Sequence, residues 1–261
     1  MNILDKIVVD KQHEVSLKKA LIPTEDLERS ALFSKSTYSL SNALKSSDSG
    51  IIAEHKRRSP SRSVINQDLN IWDVTSGYET AGVCGMSILT DGKYFGGSLD
   101  DLLMARSCSS IPLLRKEFII DEYQILEAKS HGADVILLIA AILERNKIKQ
   151  YSTLAQSLGL EVLLEVHNQT ELEKSIMPSI NMLGVNNRNL KTFEVSLETS
   201  KTLSKLIPDD FIKVSESGIS SISAINDLKN YGYQGFLIGE NFMKTNHPGS
   251  AAAAFINRLE S

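Results

Sequence analysis

Glu54 and Lys56 close an apolar run that opens Ile51-Ile52-Ala53. Side chains two apart on an extended strand share a face, so the carboxylate and the ammonium project together while Ile51, Ala53 and His55 point the other way. Burying such charges unpaired is costly, and a chain that keeps them at a strand end has a use for them. A paired acid and base of this kind is suited to moving protons. The same arrangement recurs along the chain. Other apolar runs end in Lys116, in Glu165, in Asn186 with Arg188, in Glu216-Ser217-Gly218 and in Gly239-Glu240-Asn241. Period two sets Lys116 on the face of Leu114, Glu165 on that of Leu163 and Asn186 on that of Gly184. Phe118, just beyond Lys116, is placed to line an apolar side of the same pocket.

These side chains need a scaffold that brings six strand ends to one place. Eight apolar runs serve: Ile51 to Lys56, Cys84 to Thr90, Pro112 to Phe118, Ala133 to Ile139, Glu161 to Val166, Met182 to Asn186, Phe211 to Glu216 and Gly235 to Gly239. Most lack polar alternation, the pattern of strands covered on both faces in a parallel sheet. Helical segments lie between them, among them Trp72 to Ala81, Glu122 to Ser130, Glu144 to Leu158, Leu197 to Leu206 and Ser221 to Tyr231. The expected fold is α/β, a (β/α)8 barrel whose chemistry sits at the C-terminal strand ends. A doubly wound sheet is the alternative, but no GxGxxG follows the first strand. Upstream, Ile3 to Leu21 has helical periodicity and Pro23 ends it, with a short helix capped near Thr24 and a Ser-rich stretch from Ser34 to Ser49. Residues 1–49 are thus a helical extension, and 1–261 is read as one barrel domain.

Ser217-Gly218-Ile219 runs into a helix beginning near Ser220, and Gly239-Glu240-Asn241 opens a second turn. Backbone N–H groups at such starts favour phosphate, and barrels of this kind place phosphate after the last two strands. The net charge of -4 and pI near 5.8 offer no basic field for nucleic acid or membrane, so a small phosphorylated molecule is the expected partner. Cys84 and Cys108 have neither CxxC spacing nor a histidine pair, which argues against a metal site or a disulfide. The N-terminus carries charges through its apolar positions, and no window suits a membrane span. The expected location is the cytoplasm, where the sequon at Asn168 has no meaning.

The strings IIAEHKRRSPS, SILTDGKYFGGS, LLRKEFIIDEYQI, GADVILLI, LLEVHN, GVNNRNL, VSESGI and FLIGENFM resemble the successive strand motifs of the indole-3-glycerol-phosphate synthase family, nearly end to end. That resemblance implies closure of 1-(2-carboxyphenylamino)-1-deoxyribulose 5-phosphate to indole-3-glycerol phosphate, with release of CO2 and water and with no cofactor or metal. It implies catalytic positions at Glu54, Lys56, Lys116, Glu165, Asn186, Arg188, Glu216 and Ser217. Ser59 and Phe95 match the anthranilate side, and Gly218, Gly239 and Glu240 the phosphate loops. Three departures stand out: Arg62-Ser63 follows Ser59-Pro60-Ser61 where Gly is usual, Asn189 replaces an Asp, and Glu240 replaces a Ser.

Ring closure asks for an acid at the ketone oxygen, the part expected of Lys116, with Lys56 and burial lowering its pKa. Glu165 would orient it or balance the charge growing on the aniline nitrogen, and Glu54 with Lys56 would remove water. Arg188 either holds substrate or neutralises Glu54, Glu165 and Glu216. His55 has the parity of a satisfied histidine facing the helices, His167 falls in a loop, Trp72 reads as packing, and Glu171 and Glu173 read as a solvated helix face. Phosphoribosylanthranilate isomerase, a Schiff-base aldolase and a non-catalytic phosphate-binding barrel are the competing functions. The chain is expected to be a monomer.

Overall fold

A computed structural model describes residues 3–60, 62–190 and 192–261; Ser61 of the Ser-Pro-Ser motif lies outside them. The extension forms α1 (Ile3–Leu21), α2 (Thr24–Glu28) and α3 (Leu40–Lys45). There follow β1 (Ile51–His55), α4 (Ile71–Thr80), β2 (Gly85–Leu89), α5 (Gly92–Phe95), α6 (Leu99–Cys108), β3 (Leu113–Lys116), α7 (Glu122–Ser130) and β4 (Val135–Ile139). The second half carries α8 (Arg145–Ser157), β5 (Glu161–Val166), α9 (Gln169–Ser175), β6 (Met182–Asn186), α10 (Glu198–Ser204) and β7 (Ile212–Glu216). It ends with α11 (Ile222–Lys229), β8 (Tyr233–Ile238), α12 (Glu240–Met243) and α13 (Pro248–Leu259). All neighbouring strands pair in parallel and β8 returns to β1, closing a (β/α)8 barrel.

Strand alternation sorts the apolar residues into two layers. Ile51, Ala53, Leu113, Ile136, Leu138, Val162, Leu164, Val185 and Phe236 pack outward against the helices. Ile52, Leu114, Leu137, Leu163, Met182, Val214 and Leu237 fill the barrel. Lys116, Glu165 and Asn186 continue the inward rows of Leu114, Leu163 and Gly184, as their parity requires. The bounds differ from the sequence reading only at the edges. Lys56 lies just past β1, and β8 begins at Tyr233, beside a register shift between Lys213 and Val214.

The extension serves both ends of the barrel. Leu40 and Leu44 of α3 are fully buried in the inner cluster, under the N-terminal openings of β2 and β8. A methyl on Gly85 would stand 2.7 Å from Leu40 Cδ1, and one on Gly235 would stand 3.2 Å from Leu44 Cδ1, so the two glycines admit that plug. Ser39 and Ser41 fix α3 by donating to Glu161 Oε1 at 2.6 and 2.5 Å. At the other mouth, Ile7 of α1 joins the same inner cluster.

Lys11 of α1 is only 2 % exposed and reaches Asp91 Oδ2 at 2.9 Å, Glu117 Oε1 at 3.1 Å and Glu14 Oε2 at 2.7 Å. Burial opposes its charge, but Glu117 and Asp91 outweigh that and hold the ammonium above its ordinary pKa. Glu117 is shared with the buried Arg115, which lies 3.7 Å from it and 2.6 Å from Glu127. One file of alternating charges therefore joins α1 to the ends of β2 and β3 and to α7.

Trp72 is 45 % exposed on α4, so it does not pack into the core; Tyr78, two turns on, takes that place and is fully buried. His55 faces outward and is buried as expected, yet its Nε2 finds no hydrogen-bond partner, and burial beside Arg57 pulls its pKa down to about 4. It is a neutral core histidine, not a satisfied one.

Candidate active site

The C-terminal strand ends surround a cavity of about 390 Å³. Glu54, Lys56, Ser59, Phe95, Lys116, Phe118, Glu165, Asn186, Arg188, Ser217, Gly218, Gly239 and Glu240 all line it. Glu216 does not reach the wall; it lies beneath Lys116, 1 % exposed. Positions up to 186 residues apart in sequence, from Glu54 to Glu240, thus meet at one mouth, because the inward-facing strand rows and the loops and short helices that follow them end there.

The centre is a compact lattice of charges. Lys56 Nζ donates to Glu54 Oε1 at 2.5 Å, Lys116 Nζ donates to Glu216 Oε2, and Lys116 also lies 3.8 Å from Glu54 Oε2. Burial resists ionisation of Glu54, and Lys56 and Lys116 overcome it to hold its carboxyl below the usual range. The expected lowering of the Lys116 pKa is overturned. Burial acts in that direction, but Glu216, Glu54 and Glu165 converge on the ammonium and raise its pKa above the ordinary value. Glu216 carries the opposite stress. Burial pushes its carboxyl up to about 7 against the pull of Lys116, with Glu165 adding to the rise. Its Oε1 has no hydrogen-bond partner. The carboxyl behind the lysine therefore titrates near neutral pH.

Two glycines make room for this lattice. A methyl on Gly184 would stand 2.3 Å from Glu216 Oε1, and one on Gly239 would stand 2.5 Å from Glu54 Oε1. Ser217 and Gly218 both have left-handed backbone, with φ 68° and 77°. For Ser217 this is strain of about 1–3 kcal/mol, held by the surrounding fold where the chain turns from β7 toward α11. Asn187, buried behind the site, donates to the carbonyls of Glu216 at 3.0 Å and Ser217 at 3.1 Å, pinning that turn.

One side of the cavity is apolar. Phe95 and Phe118 stack obliquely with centroids 5.9 Å apart, and Ile3, Leu4 and Ile7 of α1 roof them. Arg188 donates to the carbonyl of Phe193 at 3.2 Å, and Asn186 Oδ1 accepts the Arg188 backbone N–H at 3.0 Å. Among the described residues Arg188 pairs with none of Glu54, Glu165 and Glu216, which leaves its guanidinium at the wall without the neutralising task. On the far side, Arg62 donates to Glu240, so two of the departures from the family pattern are bonded to each other across the mouth. Backbone bonds between Ser59 and Arg62, at 2.8 and 3.0 Å, make the tight turn that carries Arg62 there.

Sequence reasoning missed Ile3, Leu4 and Ile7, along with Leu190, Phe193 and Lys244. The spacing of the α1 residues was the available signal: they are the first turns of its apolar stripe. His167 lies in the loop after β5, as expected, but it stands behind Glu165, and Glu171 is bonded to it rather than solvated. Cys84 belongs to the cluster at the opposite mouth and Cys108 closes α6, so neither faces the cavity. Among the described residues no group of three or more His, Cys, Asp or Glu could hold a metal, and no helix is long and apolar enough to cross a membrane.

A parallel eight-stranded barrel with lysines, carboxylates and two turns suited to phosphate at its C-terminal mouth defines a barrel enzyme acting on a small phosphorylated molecule. The family model described as indole-3-glycerol phosphate synthase matches residues 4–255, and the chain belongs to that family. An indole-3-glycerol phosphate synthase of Bacteroides thetaiotaomicron is 46 % identical over 259 residues, covering 99 % of both chains. One of Polynucleobacter necessarius is 40 % identical over 259 residues, covering 96 % of this chain and 97 % of its own. Among solved structures, a 3-hexulose-6-phosphate synthase of Salmonella typhimurium superposes with TM-score 0.65 over 81 % of this chain and 98 % of its own, at 12 % identity, which speaks to the fold alone.

Proposed function

We propose that the chain closes 1-(2-carboxyphenylamino)-1-deoxyribulose 5-phosphate to indole-3-glycerol phosphate, with the anthranilate ring between Phe95, Phe118 and the α1 roof and the phosphate at the turns 217–220 and 239–241. The carrying observation is Lys116 held charged among Glu54, Glu165 and Glu216 on the cavity floor, beside an apolar wall of the right character for an aromatic ring. The ring carbon bearing the carboxylate attacks the ketone carbon while Lys116 protonates the ketone oxygen. The C–C bond takes its electrons from the ring, leaving positive charge on the aniline nitrogen opposite Glu165. Loss of CO2 returns those electrons and restores aromaticity. Glu54 and Lys56 then remove a proton from the carbon beside nitrogen and protonate the departing hydroxyl, so that the oxygen leaves as water.

A lysine held above its ordinary pKa is a weak acid toward a ground-state ketone. Its proton moves as charge builds on the oxygen, and Glu216, titrating near 7, stands 100 residues away in sequence but in contact to restore it. Asn186 and Arg188 are assigned to the substrate's hydroxyls and carboxylate, Ser59 to the anthranilate side, and Ser217 with the backbone of Gly218, Gly239 and Glu240 to phosphate. We read 1–261 as one folding unit acting as a monomer in the cytoplasm. Supplying the substrate and following indole fluorescence tests the activity; substrate binding with no fluorescence would leave a binding module in its place.

Glu240 repels a phosphate at its own turn unless Arg62 neutralises it. Arg62→Gln is expected to raise KM about 2- to 5-fold with kcat little changed, and more weakly at high salt, as for an exposed ion pair worth up to about 1 kcal/mol. Glu240→Gln is expected to lower KM by freeing Arg62 for the phosphate. Initial rates for both variants at two ionic strengths check this, and a rise in KM for both would show instead that the pair only ties the mouth together.

A further inference from the structure

His167 borders the site without a task in the reaction above. It follows β5 on a bend, its side chain 10 % exposed, between two carboxylates. Its Nδ1 lies 3.1 Å from Glu171 Oε2, and its Nε2 lies 3.4 Å from Glu165 Oε1, an ion-pair contact rather than a formed hydrogen bond. Glu171 is itself fixed. The same Oε2 accepts the His167 backbone N–H at 2.8 Å, and Oε1 accepts Asn168 Nδ2 at 2.7 Å. Both Glu171 oxygens thus accept an N–H and its carboxyl is held below the usual range, so it is an ionised acceptor and Nδ1 carries a proton toward it.

The other nitrogen is then decided by electrostatics. A neutral ring with its proton on Nδ1 would aim the Nε2 lone pair at Glu165, in a place where that nitrogen is shielded and has no other partner. Lone pair against carboxylate is repulsive; a second proton makes the contact attractive. We propose that His167 is a positioning residue that works as an imidazolium, bonded back to Glu171, and holds the Glu165 carboxylate aimed at the aniline nitrogen. The inference rests on the reading of Glu165 given above.

The charged groups facing His167 are Glu165 from β5, Glu171 from α9 and Glu216 from β7. The turn 140–142, which packs on β5 and α9, adds only alanine and isoleucine. Burial works against the charge, and these carboxylates, led by the Glu171 bond, outweigh it, so the ring titrates above its ordinary value. The imidazolium therefore predominates at and below pH 6.5 and is lost as pH rises through that higher value.

The test is the pH profile of kcat/KM for the native chain, His167→Gln and Glu171→Gln, together with the ring titration of His167 by NMR, assigned through its backbone connectivity among the five histidines. An alkaline limb is expected above pH 6.5 in the native chain, built from loss of the His167 proton and of the Glu216 proton near 7. The His167 step should vanish in His167→Gln, whose amide N–H serves Glu165 at every pH, leaving the Glu216 step, and it should move down by about one unit in Glu171→Gln. His167→Ala should lower kcat about 10-fold, with most of the loss recovered by His167→Gln. A limb identical in all variants, or a ring pKa at or below 6.5, overturns the proposal, and the ring titration needs no variant to fold. Full turnover by Glu165→Gln would instead sink the underlying reading of Glu165, whatever the ring titration gives.

Discussion

Replacing Lys116 with methionine is expected to lower kcat by about 10²- to 10⁴-fold, the range for removing a general acid, while the protein stays folded. Lys116 is buried, and deleting one partner of a buried pair ordinarily destabilises by about 3–5 kcal/mol because a charge is stranded. The geometry spares this variant. Glu54 keeps Lys56 at 2.5 Å, and Glu216, already pushed up to about 7 with the lysine present, takes a proton and becomes neutral. Methionine fills the same volume. The urea midpoint should therefore change little at pH 6 and fall at pH 8, where neutralising Glu216 costs more.

Lys56→Met separates the steps. Closure and CO2 release should continue while indole formation stalls, because Lys56 is assigned to the departing hydroxyl. Rapid-quench measurement of CO2 against indole fluorescence checks the order. CO2 release without indole by Lys116→Met, with both products abolished by Lys56→Met, would reverse the two assignments.

The failed expectation for Lys116 shows where a linear chain stops being legible. Parity along each strand placed its side chain correctly, as it did those of Glu165 and Asn186, because alternation is a local property of extended backbone. The pKa depends on what arrives from elsewhere. Counting Lys56 as the neighbour predicted a depressed lysine. In the folded barrel Lys56 is spent on Glu54, and it is Glu216, from four βα units further on, that contacts Lys116. Which carboxylate meets which lysine is set by rotamer and by space, and Gly184 and Gly239 provide that space without showing it in any one-dimensional pattern. The helical extension was legible as a helix, and its Ile3, Leu4 and Ile7 as an apolar face. What that face covers was not, since a stripe has no address. The bond between Arg62 and Glu240 was equally hidden: each was visible alone as a departure, and only the closure of β8 onto β1 brings the two together.

Lys11 carried a readable signal of another kind. It falls between Ile7 and Val15 at steps of four, on the buried stripe of α1, where a lysine is out of place unless something receives it. Asp91 and Glu117 receive it. Asp91 also caps α5, accepting the N–H of Tyr94 at 2.6 Å and of Phe95 at 3.3 Å, and Glu117 follows Lys116 directly. One ammonium thus ties the roof helix to the turn that carries Phe95 and to the strand that carries Lys116. Lys11→Met leaves Asp91 and Glu117 buried with part of their compensation gone, and it is expected to destabilise the fold by about 3–5 kcal/mol. The loss should also be felt at the site. With α1 less firmly docked, Ile3, Leu4 and Ile7 no longer close the apolar wall, so KM should rise more than kcat falls, unlike the pattern for Lys116→Met. Urea unfolding and steady-state rates on the same preparations check both parts. Glu117→Gln combined with Lys11→Met should cost less than the sum of the single changes, because the second removes a charge that the first has stranded. A loss below about 1 kcal/mol for Lys11→Met alone, in the range of exposed pairs, would mean that water already shares this lysine and that α1 is held by its apolar contacts.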